Sequence, residues 1–196
     1  MLSTEDRITS QNALREWIRY ESARYPCGRL SRLLGIGENA ILRKHQILLR
    51  KTEYYKNTNK KLLYILSRSR LRSLQTKYAL HIPLNCCGKG LRIVHLGPVL
   101  MNNKVTVGRD CAIHMNAALV AGGTNDGVPT LGDRVIVGYG AVVLGDVHIA
   151  NHVAIGANAV VNKDCLEENV AIAGVPAKII SRNGSLEWNK KAKQNA

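Results

Sequence analysis

The sequence contains no phenylalanine, and its 14 acidic residues are few beside 28 lysines and arginines. It also lacks the motifs of modules that stack on bases or read DNA grooves, so we expect no nucleic-acid partner. The net charge of +14 is concentrated at one end: residues 1–85 hold 17 basic residues against 6 acidic ones. Such a field attracts anions. An anionic membrane surface, an acidic glycan or CoA therefore stays open beside a plain solvated surface.

The sequence has no long hydrophobic segment and no metal-binding cysteine pattern. The first residues, MLSTEDRITS, contain no apolar stretch of a signal peptide, and the apolar run near 135–144 is broken by glycine. We therefore expect a cytoplasmic protein. The five cysteines leave one unpaired in any disulfide scheme and form no CxxC pair. This predicts reduced, mostly buried thiols and no metal.

The basic first part, residues 1–80, shows helical patterns. Ser3 and Asp6 have the spacing of a capping box, which predicts a helix start. Further runs of helical periodicity cover 38–55 and 61–78, and the second of these has leucines at 62, 63, 66, 71 and 74. The segment His81-Ile82-Pro83 ends the helical part, because the residue before proline favours an extended backbone.

The second part of the chain is governed by a repeat of six residues. Aliphatic residues recur on this grid at Val107, Ile113, Leu119, Leu131, Val137, Val143, Ile149, Ile155 and Val161, and only position 125 breaks it. Four residues after each of these stands a small or β-branched residue. Each hexapeptide is expected to form one short strand and one turn, so that three of them make a triangular coil of about 18 residues.

This period predicts a parallel β-helix over residues 81–180, followed by a polar tail over 181–196. A βαβ fold would need helical patterns between the strands, and a sandwich would alternate every second residue. The segment GGTNDGVPT, which contains Asn125, is rich in turn formers. We expect it to be a loop that leaves the coil.

These segments resemble the hexapeptide-repeat acyltransferase family, in the branch shared by serine acetyltransferases and O-acetyltransferases of capsule and exopolysaccharide synthesis. The resemblance is carried by IPLNCCGKGLRIVHLGPV at 82–99, CAIHMNAALVAGGTNDGVPTLGD at 111–133, IGANAVVNKD at 155–164 and AGVPAKII at 173–180. It implies a left-handed parallel β-helix, and an enzyme that transfers acetyl from acetyl-CoA to a hydroxyl group without a metal. It also implies a homotrimer, or a hexamer built from trimers, with CoA between neighbouring helices.

The same resemblance suggests the catalytic residues. Aligned on GKG and the glycine that follows, His95 falls on the family's catalytic histidine, a general base suited to neutral pH. Two aspartates of serine acetyltransferases are replaced here by Val94 and Leu80. This difference favours a sugar hydroxyl in capsule or exopolysaccharide synthesis as acceptor, with L-serine as the alternative. His114 lies about one coil beyond His95 and is expected to be a second catalytic group or an acceptor ligand, or else a turn histidine bonded to a carbonyl.

The resemblance also suggests residues that bind the two substrates. For CoA they are Gly122, Gly123, Tyr139 and Ala157 through their backbone, with Lys163 or Lys178 near the phosphates. Asn125 and Asp126 are expected to reach the acceptor, a small molecule or a glycan, in a neighbouring subunit. Both lysines could equally be solvated surface residues, and both loop residues could simply form the turn.

Two remoter alternatives stay open. A γ-type carbonic anhydrase uses the same β-helix, and His114, His148 and His152 have a spacing superficially similar to its metal ligands. A non-catalytic trimeric scaffold that docks through its basic first part is the other. The first predicts a bound metal, and the second predicts no binding of CoA.

Overall fold

The computed structural model describes residues 2–123 and 126–186. Four helices come first: α1 (Gln11–Ser22), α2 (Arg29–Leu34), α3 (Glu38–Asn57) and α4 (Lys61–Tyr78). The last two agree with the periodic runs of the sequence. The predicted start at Ser3 is wrong, because Ser3 and Asp6 bond only to each other across a turn. The first helix is capped instead by Ser10, whose hydroxyl accepts from Ala13 N–H at 3.1 Å.

The apolar face of α4 is only partly buried. Leu71 is fully buried, but Leu62, Leu63 and Leu66 in the first turns are exposed by 70%, 45% and 50%. The spacing of these leucines therefore does not mark the packed side of the helix. Burial is set by where α3 and the strand after α4 lie, and the first turns of α4 extend beyond both.

A buried arginine joins the helices to the rest of the molecule. Arg50 of α3 donates to Glu21 of α1 at 2.8 Å and to Glu53 at 2.9 Å, and none of the three is more than 2% exposed. Its guanidinium also donates to the carbonyls of Cys87 and Gly88. Burial alone would lower the pKa of Arg50, but the two carboxylates outweigh it and raise that pKa. The helices are thereby held against the chain just after α4.

The remaining chain forms short strands in three sheets. Sheet 1 contains β1 (Leu80–His81), β3 (Val99–Met101), β6 (Ala117–Val120), β9 (Val142–Leu144) and β12 (Val160–Val161). Sheet 2 contains β4 (Thr106–Val107), β7 (Thr130–Leu131) and β10 (His148–Ile149). Sheet 3 contains β2 (Arg92–Ile93), β5 (Ala112–Ile113), β8 (Ile136–Val137), β11 (Ala154–Ile155), β13 (Ala171–Gly174) and β14 (Ala177–Ser181).

From β2 onward the chain visits sheets 3, 1 and 2 in turn, which is the path of a three-sided coil. All pairings are parallel except that of β13 with β14. Stacked partners are 18 residues apart at Ile136 and Ala154, but 24 apart at Ala112 and Ile136. One hexapeptide is therefore extra between β6 and β7. The predicted loop around GGTNDGVPT accounts for it.

The interior of the coil is lined by the residues of the hexapeptide grid. The nine aliphatic residues of the grid are each at most 3% exposed. The small residues four positions later are buried too, except Gly123, which is exposed because it belongs to the extra hexapeptide. All five cysteines are free, and four of them are buried. The parallel coil and the helical first part are thus confirmed.

The predicted boundaries of residues 1–80, 81–180 and 181–196 stay predictions about domains. Residues 187–196 of the tail lie outside the described residues. Within the described ranges, no helix has the length and apolar character that crossing a membrane requires.

Candidate active site

His95 and His114 lie side by side on one corner of the coil. Each follows a strand of sheet 3, β2 and β5 respectively, and these strands pair in register with Ile93 opposite Ile113. The imidazole ring centres are 6.3 Å apart and tilted by 59°. We call this edge, formed by residues 94–98, 114–116, 138–141 and 156–159, the histidine corner. Two imidazoles at this distance can contact one small substrate between them.

The two rings differ in their surroundings. The side chain of His95 is 56% exposed, whereas His114 is half-buried. Burial lowers the pKa of His114 below its ordinary value of 6.5, and the nearby His95 and Arg92 lower it further. His114 is therefore neutral at neutral pH, able to donate or accept a hydrogen bond without carrying charge.

A carboxylate approaches His95 from the helical part of the chain. Glu38 Oε1 lies 3.5 Å from His95 Nδ1 and accepts a hydrogen bond from Leu96 N–H at 2.6 Å. The sequence gave no signal for this contact, because 57 residues separate Glu38 from His95 and the packing of α3 creates it. Val94 and Leu80, where the resemblance expects carboxylates, supply none, and Leu80 is buried in the core.

Tyr139 and Ala157, predicted to bind CoA, also lie on the histidine corner. Successive coils are joined there by hydrogen bonds from Gly140 N–H to Met115 O and from Asn158 N–H to Tyr139 O. The Tyr139 ring is 45% exposed, and its hydroxyl accepts from the Asn116 amide at 2.7 Å. Backbone and ring surface for a ligand are therefore available beside the two histidines.

The other predicted residues are not on this corner. Gly122, Gly123, Asp126 and Lys163 follow strands of sheet 1 and lie on the next corner, which we call the loop corner. Gly122 packs so closely on Gly145 that a Cβ there would lie 3.2 Å from the Gly145 Cα. Lys178 is exposed on β14, and Asn125 lies outside the described residues. One copy of the chain thus separates the predicted site over two corners.

The histidines of the carbonic anhydrase alternative do not come together as ligands. His148 lies on β10 in sheet 2, away from the histidine corner, and its Nδ1 is 3.9 Å from Asp164. In the described part of the chain, no three His, Cys, Asp or Glu side chains are grouped so that they could hold a metal ion. The described residues therefore give no support to that alternative.

The largest cavity lies away from the histidines, among the helices. It is an open groove of about 1010 Å³ between α2, α3 and α4, which we call the basic groove. Its cationic lining residues are Arg32, Arg43, Lys44, Lys51, Arg70 and Lys77. None of the described residues that line it is acidic. Leu33 and Leu34 form part of its rim and are 83% and 58% exposed.

The chain matches known proteins over the coil and beyond it. A model of the family described as bacterial transferase hexapeptide (six repeats) matches residues 129–163. A serine acetyltransferase of Buchnera aphidicola subsp. Acyrthosiphon pisum is 31% identical over 148 residues, 74% of this chain and 53% of that protein. A serine acetyltransferase of Helicobacter pylori strain J99 is 36% identical over 129 residues, 64% of this chain and 74% of that protein.

Solved structures agree with these relatives. The fold is similar to that of the serine acetyltransferase from Brucella abortus strain S19 in complex with coenzyme A, with a TM-score of 0.62 and 23% identity. That likeness covers 88% of this chain and 68% of the other. The chain spans only about half the length of the first relatives that it matches.

The comparisons correct the predicted acceptor. The relatives and structural neighbours are named serine acetyltransferases, so the expectation of a sugar acceptor in capsule or exopolysaccharide synthesis is wrong. Missing aspartates were a poor guide, because Val94 and Leu80 show only which carboxylates are absent and not what replaces them. From its coil, its matched repeat and these relatives, the chain belongs to the hexapeptide-repeat acyltransferases, in their serine acetyltransferase-like branch.

Proposed function

We propose that this chain is a serine O-acetyltransferase that uses acetyl-CoA as donor. The observation that carries the proposal is the convergence of His95 and His114, with ring centres 6.3 Å apart, on one corner of the coil. The names of the relatives support the acceptor. The coenzyme A bound to the Brucella abortus enzyme supports the donor.

In the proposed reaction His95 is the general base. Its imidazole removes the proton of the serine hydroxyl while that oxygen attacks the carbonyl carbon of the acetyl thioester. The C–S bond then breaks, and the CoA thiolate leaves and takes the proton back from the imidazolium. The products are O-acetylserine and CoA. His114, neutral at neutral pH, would contact the acceptor or the developing oxyanion as a hydrogen-bond partner.

The binding site is proposed to form between two copies of the chain. Tyr139 and Ala157 lie on the histidine corner, whereas Gly122, Gly123, Asp126 and Lys163 lie on the loop corner. If the histidine corner of one copy faces the loop corner of the next, the two sets meet in one cleft. A closed ring of such contacts is a homotrimer. Lys163 and Lys178 are exposed and would meet the CoA phosphates as point charges.

The left-handed sense of the coil, assembly of trimers into a hexamer and a cytoplasmic location stay predictions. They are tested by a crystal structure, by the solution mass of the purified protein and by fractionation of cells.

The basic groove is proposed to lie against an anionic membrane surface. Six cations line it without an acidic neighbour among the described residues, and Leu33 projects from its rim with 83% of its surface exposed. Cations beside exposed leucines are the combination that holds a protein at the headgroup level of an anionic bilayer. A second copy docked by the same face would bring like charges together, which disfavours that occupant.

Thiol release from acetyl-CoA tests the proposed activity. The purified chain is assayed with L-serine, and with D-serine, L-threonine and other hydroxyl compounds at matched concentration. Release that saturates with L-serine and yields O-acetylserine supports the proposal. Release that ignores L-serine but saturates with another acceptor would reject serine as the substrate. Binding of CoA without release would favour the scaffold alternative.

A further inference from the structure

The carboxylate beside His95 comes from an element outside the coil. Glu38 is the first residue of α3, and its Oε1 lies 3.5 Å from His95 Nδ1. Among the described residues, no other carboxylate lies within 4 Å of a ring nitrogen of His95. This oxygen can accept the Nδ1 proton of the imidazole, which would leave Nε2 unprotonated.

Two features fix the position of this carboxylate. The Leu96 N–H donates to the same Oε1 at 2.6 Å, so the oxygen is held on the segment that carries His95. Gly37 precedes Glu38 with φ of 90°, a conformation that a residue with a side chain adopts only with strain. The turn at Gly37 thus sets where α3 begins.

The remainder of α3 is fixed by its buried arginine. Arg50 lies 12 residues beyond Glu38 on the same helix, and its guanidinium bonds to the carbonyls of Cys87 and Gly88 on the chain that leads to His95. The helix is therefore held at Glu38 through Leu96 and at Arg50 through these two carbonyls. A carboxylate held at two points loses little freedom when it contacts the imidazole.

The other charged or titratable groups near the ring do not take this role. His114, 6.3 Å away between ring centres, is kept neutral by burial and by His95 and Arg92. Arg92 is a cation, which opposes a positive charge on the imidazole. Glu38 is the group whose charge favours the imidazolium that forms when His95 takes the proton of an acceptor.

We propose that Glu38 is the positioning residue of His95. Its carboxylate accepts the Nδ1 proton, selects the tautomer with a free Nε2 lone pair, and stabilises the imidazolium formed in the transition state. Part of this inference rests on the proposed function, since the imidazolium forms only if His95 is the base. The tautomer does not depend on turnover.

The tautomer is measured by ¹⁵N NMR of the histidine rings at about pH 9, where an ordinary imidazole is neutral. His95 is assigned by its loss in His95→Ala. We expect Nδ1 to be protonated in the wild type and in Glu38→Gln, whose side-chain oxygen still accepts. In Glu38→Ala the proton is expected to move largely to Nε2. A wild-type ring protonated on Nε2, or a Glu38→Ala ring like the wild type, would overturn the assignment.

Kinetics then test the charge. Glu38→Gln keeps an oxygen for Leu96 N–H but removes the negative charge, so a purely structural role predicts normal turnover. We expect Glu38→Gln to lower kcat about tenfold and Glu38→Ala about a hundredfold, with the KM for acetyl-CoA unchanged. Glu16→Gln is the matched control, because Glu16 is exposed and pairs with Lys89 on α1's side of the molecule.

The two proposals fail in different ways. Wild-type kcat in Glu38→Gln would reject the charge role of Glu38 while leaving the acetyltransferase intact. A wild type that turns over no acceptor but shows the Nδ1 proton lost in Glu38→Ala would reject the proposed activity and keep the positioning contact.

Discussion

Arg50 Nη2 lies 2.8 Å from Glu21 Oε1, and both side chains are fully buried. Glu53 satisfies the other side of the same guanidinium at 2.9 Å. A buried charge that loses its partner is far more costly than an exposed one, because no water replaces the lost contacts. This pair therefore ties the helices to the coil and, through α3, places Glu38.

Removal of this arginine is expected to destabilise the whole chain. Arg50→Met leaves Glu21 and Glu53 buried without their cation, at a cost of about 3–5 kcal/mol in the free energy of unfolding. Arg24→Met is the matched control, because the pair of Arg24 with Asp110 is about one quarter exposed and is expected to cost about 1 kcal/mol or less. Urea unfolding measures both. Equal losses in the two variants would mean that the buried pair is not special.

Much of the fold could be predicted because the coil is governed by one local rule. Every aliphatic residue of the six-residue grid is buried, and the single break at position 125 marks the extra hexapeptide. The helical part follows no such rule. Its first helix starts at Gln11 instead of near Ser3, and Leu62 and Leu66 are exposed, because tertiary packing decides both.

The site was predictable only where it lies on the coil. His95 and His114 approach each other because they follow stacked strands, which the period of 18 already indicates. Glu38 could not be predicted, because its contact with His95 depends on how α3 packs against the coil. The acceptor could not be predicted from the absence of aspartates at Val94 and Leu80, because a carboxylate can reach the site from another element.

The interior of the coil should not tolerate charge. Val137 is fully buried on β8, so Val137→Asp would bury a carboxylate without a partner and lower the free energy of unfolding by more than about 4 kcal/mol. The control is Leu166→Asp, since Leu166 is 72% exposed. Thermal unfolding followed by circular dichroism measures both. A melting temperature of Val137→Asp equal to that of the control would contradict the inward orientation.

Buried His45 should make the protein sensitive to acid. Burial lowers its pKa from 6.5 to about 4, with its nitrogens facing Gln46 and Gln75. Between these pH values the unfolded chain binds a proton that the folded chain excludes. Stability is therefore full above pH 6.5 and falls, through this residue, by about 1.4 kcal/mol per pH unit as the pH drops towards 4.

The contribution of His45 is isolated by comparison with a variant that cannot titrate there. His45→Asn is expected to be less stable at pH 7.5, since its smaller side chain leaves a gap, but to lose less stability on acidification. The slope of the unfolding free energy between pH 6.5 and 4.5 is compared in the two proteins. Parallel slopes would show that His45 does not titrate in this window.

The basic groove should bind anionic vesicles. Sedimentation with phosphatidylcholine vesicles is compared with and without phosphatidylserine, at low and at high ionic strength. We expect binding only with phosphatidylserine and weaker binding at high salt. Reversal of two groove cations, Lys44→Glu with Lys51→Glu, should weaken binding about tenfold or more, since each cation near the surface contributes about 1 kcal/mol.

The matched control makes the same charge change elsewhere. Arg15 and Arg19 are exposed on α1 and do not line the groove, so Arg15→Glu with Arg19→Glu should bind more tightly than the groove variant. Equal weakening would attribute binding to net charge alone. Sedimentation that ignores phosphatidylserine and salt would reject the membrane surface as the partner.

His95 and His114 should separate into turnover and acceptor binding. His95→Ala removes the proposed base and is expected to lower kcat roughly a hundredfold or more while CoA still binds, as measured by calorimetry. His114 has a lowered pKa and acts as a neutral hydrogen-bond partner, so His114→Asn should raise the KM for L-serine more than it lowers kcat. Near-normal turnover by His95→Ala would remove His95 from the role of base. An unchanged KM for L-serine with an unchanged kcat in His114→Asn would make His114 a turn residue, whose ring lies beside the base without touching the substrate.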